Sequence, residues 1–191
     1  MVDRLARWIS ILFDSSVISL PVFFTFGWVT AAVAGLIWAG LILLIITGIP
    51  LAYLLLGKKL GWVSDLEMTH RSERPRFILV SLSCDLLALA ILYFFHGPVL
   101  LQVMVLTYLC LGIAMFTISS FWKISLHMAG VSGFSMALVF VFGAPALVAF
   151  FSLPLVAWAR WHRRKHTIAQ LIAGAFAGAL ITALVFGLFY L

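Results

Sequence analysis

The sequence predicts an all-α integral membrane protein, a polytopic helical bundle with about six or seven crossings. Hydrophobic residues make up 65% of the 191 residues and charged residues only 9%, whereas about a quarter of an ordinary soluble domain is charged. A crossing helix needs roughly 20 largely apolar residues, so the chain has room for those crossings and for no sizeable soluble domain. We therefore interpret residues 1–191 as a single transmembrane domain, with any chemistry in loops or at helix ends.

The apolar runs give the expected positions of the crossings. They fall at about residues 9–29, 32–56, 76–95, 98–119, 128–159 and 167–190. The run at 128–159 is too long for one ordinary crossing and contains Gly143-Ala144-Pro145 near its middle, which predicts a turn and hence a short helical hairpin.

The charges then predict the orientation. With the hairpin in place, the cations lie on one face of the bundle, at Arg4, Arg7, 58–76, Lys123 and 160–165. The positive-inside rule places this face in the cytoplasm, with the N-terminus inside and the C-terminus outside. The net charge of +6 indicates anchoring to anionic lipid, and we expect no nucleic-acid partner.

Polar residues gather in three segments on this face, each leading into a predicted helix. The first polar segment is residues 69–76, the second is 121–127 and the third is 159–170. Helix N-termini present backbone N–H groups and a partial positive charge, which favour phosphate binding. Arginine adds a planar fork that matches phosphate oxygens, and two histidines can act as nucleophile and proton donor near neutral pH. The pattern suits phosphoryl transfer, and we expect neither a metal nor an organic cofactor.

The three polar segments resemble the signature of the type 2 phosphatidate phosphatase superfamily. That signature has a lysine, six residues and Arg-Pro; then Pro-Ser-Gly-His; then Ser-Arg, five residues, a histidine, three residues and an aspartate. The matching residues, in order, are Arg74-Pro75, Ser125, His127, Arg160 and His166. The likeness covers about residues 67–170, so we take 67–191 as the motif-bearing core.

The resemblance implies a role for each matching residue. His166 would be the nucleophile that forms a phosphohistidine, and His127 the general acid that protonates the leaving oxygen. Arg74 and Arg160 would bind phosphate, with the hydroxyl or the backbone N–H of Ser125 assisting.

Two positions depart from the family pattern. Glu67 stands where the family has its lysine, and either Lys123 or Arg71 is a candidate to supply the missing cation. Gln170 stands in place of the aspartate that orients the nucleophilic histidine. Because Gln170 is four residues after His166, both lie on one helical face, and the amide oxygen can accept the imidazole N–H without supplying negative charge.

Several of these residues also fit structural roles. Thr167 and Gln170 match a helix capping box about as well as a catalytic pair, and Ser125 taken alone fits a helix N-cap. The run 163–165 suits a lipid-headgroup anchor. Asp14 is expected at an interface or against another helix, and no partner is predicted for the intramembrane Asp85.

The leading functional hypothesis is a membrane-embedded, metal-independent phosphatase that hydrolyses a lipid phosphate or diphosphate. Phosphatidate, phosphatidylglycerophosphate and isoprenoid phosphates all fit a site at the headgroup plane of the bilayer. The alternative is a weakly active or inactive relative that binds or transports a phosphorylated lipid, for which Glu67 and Gln170 are the evidence. A third hypothesis is a transporter or assembly subunit whose cations only set topology.

Overall fold

The structure is a computed structural model that describes residues 1–66, 68 and 70–190, with the side chain of Arg71 excluded. In this part of the chain every regular element is helical. The α-helices are α1 (Val2–Leu12), α2 (Ser15–Leu43), α3 (Ile49–Leu60), α4 (Arg74–Phe94), α5 (Val99–Phe121), α6 (Leu126–Phe142), α7 (Ser152–His162) and α8 (Ile168–Phe189). A π-helical turn at Leu44–Gly48 joins α2 to α3, and 3-10 turns at Arg71–Glu73 and Ala144–Phe151 precede α4 and α7.

The helices confirm an all-α polytopic membrane bundle. In the described residues, five helical stretches are long and apolar enough to cross a membrane, namely Ser15–Leu60, Arg74–Phe94, Val99–Phe121, Ala144–His162 and Ile168–Phe189. Helix α6 is apolar but shorter. Because Ser15–Leu60 contains a reversal, counting it as two arms and adding α6 gives seven segments, within the predicted range.

The reversal lies inside α2, between two of the predicted apolar runs. Ala31 and Ala32 have non-helical backbone angles, and Ala32 has a positive φ of 46°. On either side of this turn, Gly27 and Gly35 approach so closely that a Cβ on either residue would overlap the carbonyl oxygen of the other. Small residues permit such close contacts between membrane helices, and the predicted break between residues 29 and 32 is confirmed.

The N-terminal boundary differs from the expectation of one run at 9–29. Helix α1 ends at Leu12 and α2 begins at Ser15, because Asp14 intervenes and caps the second helix: its Oδ1 accepts the Ser16 N–H at 3.0 Å. Helix α1 has 11 residues and is about 16 Å long at 1.5 Å per residue. It is therefore too short to cross a bilayer, and the first crossing begins at α2.

The predicted hairpin at 128–159 is confirmed, with its turn at Gly143. Helix α6 ends at Phe142, and Gly143 takes a φ of 73°, a conformation that suits glycine because it lacks a Cβ. The 3-10 turn at Ala144–Phe151 and α7 then form the return arm.

The chain divides into two compact units, Met1–Val22 with Lys123–Leu191, and Phe23–Trp122. We call the first the terminal unit and the second the central unit, and each is described by itself. In the central unit, α4 and α5 pack together, and the buried Asp85 of α4 lies near Gly112 of α5.

The terminal unit is built from α1, the start of α2, and α6 to α8. Its apolar core is drawn from helices α1, α6, α7 and α8, with Ala6, Ile9, Met128, Val131, Val156, Ala159 and Leu171 buried together. Helices α6 and α8 approach most closely at two glycines of α8. A Cβ at Gly174 would lie 2.5 Å from the Ser125 carbonyl oxygen, and one at Gly178 would overlap the carbonyl oxygen of Ala129. This contact brings the N-termini of α6 and α8 side by side.

We expect Gly178→Ala to destabilise the protein, because the added methyl overlaps backbone and α6 and α8 must move apart. Overpacking of this kind costs about 1–3 kcal/mol. Gly187→Ala is the matched control in the same helix, since no atom of the described residues lies within 4 Å of a Cβ there. Thermal unfolding in detergent compares the variants, and equal stability of both with the unsubstituted protein contradicts the predicted contact.

Candidate active site

His166 and Gln170 form a pair at the start of α8. His166 lies in the turn between α7 and α8 and is 7% exposed, and its Nδ1 is 3.2 Å from Gln170 Oε1. The same Oε1 accepts the Thr167 N–H at 3.1 Å, which identifies that atom as the amide oxygen. The ring Nδ1 therefore carries the hydrogen and donates, so Nε2 holds the lone pair in the neutral imidazole.

The capping box and the His166–Gln170 pair coexist. Thr167 Oγ1 accepts the Gln170 N–H at 3.4 Å, which completes the capping box with the reciprocal contact to Gln170 Oε1. A carbonyl oxygen has two lone pairs, so one amide oxygen serves both the helix cap and the histidine. Gln170 thus ties the orientation of the His166 ring to the first turn of α8.

A cationic depression surrounds this pair. Its volume is about 730 Å³, and its lining residues are Lys123, Trp161, Arg164, Lys165, His166, Thr167, Ile168, Ala169 and Gln170. Three of these residues are cations, and none is acidic. The N-terminus of α8 contributes its partial positive charge to the same place. The depression is therefore suited to an anion, and it brings Lys123, predicted as a replacement cation, together with His166 and Gln170.

The α7–α8 turn that carries the cations is closely constrained. The Lys165 N–H donates to the Arg160 carbonyl oxygen at 3.0 Å, and the Arg164 N–H donates to that of Trp161 at 2.8 Å. Arg164 has a positive φ of 52°, a left-handed conformation uncommon for a residue with a Cβ. Such backbone conformations occur frequently at binding sites.

Ser125 adjoins the pair through its backbone. Its N–H donates to the Gln170 carbonyl oxygen at 3.3 Å, and its Oγ caps α6 by accepting the Met128 N–H at 3.4 Å. The structure thus shows the N-cap role of Ser125, and the side chain is fully buried. A contact of Ser125 with phosphate stays a prediction.

Arg160 and His127 are buried and do not contribute to the lining of the depression. Arg160 lies in the last turn of α7 and is 2% exposed. His127 is the second residue of α6, and its Nε2 lies 3.1 Å from the Ser10 carbonyl oxygen and 3.2 Å from Asp14 Oδ2. Their roles as phosphate ligand and general acid stay predictions.

Arg74 belongs to the central unit. It is buried, and its Nε donates to the Met68 carbonyl oxygen at 3.2 Å. Its role in binding phosphate stays a prediction from the sequence. Glu67, at the family's lysine position, and the side chain of Arg71 lie outside the described part of the chain.

Sequence reasoning missed the link between Asp14 and His127. The two residues are far apart in the chain, and neither charge spacing nor hydropathy indicates that they meet. The signal that was present is the Asp14-Ser15-Ser16 interruption of an apolar run, which is typical of a helix N-cap. A second carboxylate–imidazole contact, Asp3 Oδ1 to His162 Nε2 at 2.9 Å, was also not predicted.

No protein-family model, curated protein or solved structure matches the chain. The resemblance to the phosphatase superfamily therefore stays a prediction from the sequence motifs.

Proposed function

We propose that the protein is a membrane-embedded phosphatase that hydrolyses a phosphorylated lipid through a phosphohistidine at His166. The observation that carries the proposal is a histidine with its Nδ1 held by Gln170 and placed in a cationic depression at a helix N-terminus. A nucleophile oriented by a third group and surrounded by fixed positive charge is what phosphoryl transfer requires.

The reaction has two balanced steps. The Nε2 lone pair of His166 forms a bond to phosphorus while the bond to the leaving oxygen breaks, and that oxygen keeps the electron pair and takes a proton. Water then attacks the phosphohistidine, gives up a proton, and the P–N bond electrons return to Nε2. Lys123, Arg164 and Lys165 stabilise the charge on the equatorial oxygens in both steps. The resemblance assigns proton donation and acceptance to His127, and because His127 does not line the depression, we propose that a water molecule relays the proton.

An apolar groove beside the depression supports an amphiphilic substrate. The groove has a volume of about 500 Å³ and lies between α6, α7 and α8, where it is lined by Met128, Ala157, Trp158, Trp161, Ile168, Leu171, Ile172, Ala175 and Phe176. Trp161 and Ile168 line both the groove and the depression. A molecule with a phosphate in the depression therefore has a hydrophobic surface next to it for its hydrocarbon chain. We propose a lipid phosphate or diphosphate as the substrate, at the cytoplasmic face by the charge pattern.

A second candidate function is binding or transport of a phosphorylated lipid without hydrolysis. Gln170 favours it, because an amide accepts the His166 N–H but adds no negative charge to stabilise the imidazole as positive charge develops. In the serine-protease triad the change from acid to amide costs about 10⁴ in rate. The two candidates share the anion site and differ in whether the P–O bond is broken.

Detergent-purified protein is expected to release phosphate from a panel of lipid phosphates and diphosphates, and His166→Ala to abolish the release. The reason is that the substitution removes the atom that bonds to phosphorus. His162→Ala is the matched control, because His162 lies four residues earlier and pairs with the exposed Asp3. Folded protein that binds these lipids and releases no phosphate indicates the second candidate.

Gln170→Asp is expected to raise kcat by about 10-fold or more, because a carboxylate stabilises the His166 imidazole as it becomes positive. The carboxylate can still accept the Thr167 N–H, although its side chain is shorter. Thr167→Ser serves as a control for disturbance of the cap. An unchanged or lower kcat in correctly folded Gln170→Asp protein contradicts the proposed role of residue 170.

Ala175→Trp is expected to raise KM by about 10-fold for a long-chain lipid phosphate. The indole fills the groove, so that roughly two or more methylene groups of the hydrocarbon chain can no longer be buried there. A short-chain phosphate that does not reach the groove should retain its KM. Leu184→Trp, at an exposed position further along α8, is the control. An equal rise in KM for both chain lengths rules out the groove as the chain site.

A further inference from the structure

The imidazole of His127 is held from outside its own helix by α1 and by the turn that follows it. Its Nε2 lies 3.1 Å from the Ser10 carbonyl oxygen and 3.2 Å from Asp14 Oδ2. Both atoms are acceptors, so the hydrogen on this side of the ring is carried by Nε2. His127 is 9% exposed and the Asp14 side chain is 37% exposed, so water screens this pair less than it screens a fully exposed one.

Asp14 is itself fixed in place. One carboxylate oxygen, Oδ1, accepts the Ser16 N–H at 3.0 Å as the N-cap of α2, which leaves Oδ2 directed at His127. The backbone around it is close to α6, because a Cβ at Gly130 would lie 2.9 Å from the Ser15 Cβ. The cap and the glycine contact therefore set the distance between carboxylate and imidazole.

We propose that Asp14 is the positioning residue for His127, and that the pair provides the proton donor of the phosphatase reaction. This inference rests on the proposed function. The sequence has no carboxylate at position 170 to orient the nucleophile His166. Asp14 is a carboxylate that orients a histidine of the site, but that histidine is the proton donor His127.

His127 gives up a proton in the first step and regains one in the second. As the P–O bond breaks, its electron pair goes to the leaving oxygen, which takes a proton from a water molecule, and that water is reprotonated by Nδ1 of the His127 imidazolium. His127 becomes neutral and keeps its Nε2 hydrogen bond to Asp14. In the second step Nδ1 accepts a proton from the attacking water, and the Asp14 carboxylate stabilises the imidazolium that is restored.

The terminal unit contains a comparison pair for this proposal. Asp3 Oδ1 lies 2.9 Å from His162 Nε2, at least as close as Asp14 to His127, but the Asp3 side chain is 95% exposed. Exposed ion pairs contribute little because water and salt screen them. Asp3→Asn therefore makes the same chemical change, from carboxylate to amide, in the same N-terminal segment. It leaves the contacts of His127 intact.

The test compares Asp14→Asn with Asp3→Asn on two substrates. Asparagine can still cap α2 but carries no charge, so folding should be retained. A general acid matters most for a poor leaving group, so kcat/KM for an alkyl lipid phosphate, which reports formation of the phosphohistidine and not its hydrolysis, is expected to fall by about 10²-fold in Asp14→Asn. For 4-nitrophenyl phosphate, whose leaving group needs no proton, we expect kcat/KM within about threefold of the unsubstituted protein. Asp3→Asn should change neither.

A structural role alone would lower both rates equally, and that result overturns the proposal. Unchanged hydrolysis of the alkyl substrate by folded Asp14→Asn protein overturns it as well. Asp14→Glu, which restores the charge on a longer side chain, is expected to recover part of the alkyl activity.

A second readout does not depend on turnover. In protein with isotope-labelled histidine, the magnetic resonance signal of the His127 ring is expected to shift in Asp14→Asn and to stay unchanged in Asp3→Asn. A His127 signal insensitive to Asp14→Asn overturns the pairing whatever the activity. A shifted signal in a protein that hydrolyses none of the substrates supports the pairing and overturns the phosphatase function.

Discussion

The close contact between α6 and α8 is the constraint on which the rest of the terminal unit depends. Gly174 and Gly178 let the backbone of α8 approach that of α6, as small residues do where membrane helices pack. The result is that both helices begin at the same level, so that Ser125 N–H reaches the Gln170 carbonyl oxygen. The side chain of that same Gln170 holds His166. The contact between α6 and α8 therefore positions His166 as much as its neighbours in sequence do.

The N-terminal segment adds polar contacts to this apolar arrangement. Helix α1 contributes Ala6 and Ile9 to the core and directs one carbonyl oxygen at His127, while Asp14 ends the segment and caps α2. A buried histidine without partners would be costly in this environment. Helix α1 therefore has a structural reason to lie against α6 and α7 even though it is too short to cross the bilayer.

Hydropathy was enough to predict the bundle, the reversal near residue 31 and the turn at Gly143, because each follows from the length of an apolar run or from local glycine and proline chemistry. It did not separate α1 from α2, since apolar residues continue on both sides of the break and only Asp14, Ser15 and Ser16 interrupt them. The two interpretations of Gln170 were also indistinguishable in sequence, because Thr167 and His166 both lie within reach of one amide oxygen. The Asp14–His127 contact joins distant parts of the chain, so no local pattern indicates it.

The central claim is that His166 forms a covalent bond to phosphorus, and the most direct measurement is to trap that intermediate. Protein is mixed with a lipid phosphate carrying labelled phosphorus, denatured within milliseconds in alkali, and digested for peptide mapping. The account predicts label on His166 in a linkage that is lost in acid and survives alkali, as expected of a P–N bond. Steady release of phosphate with no label on His166 at any time, or with label on another residue, would contradict it.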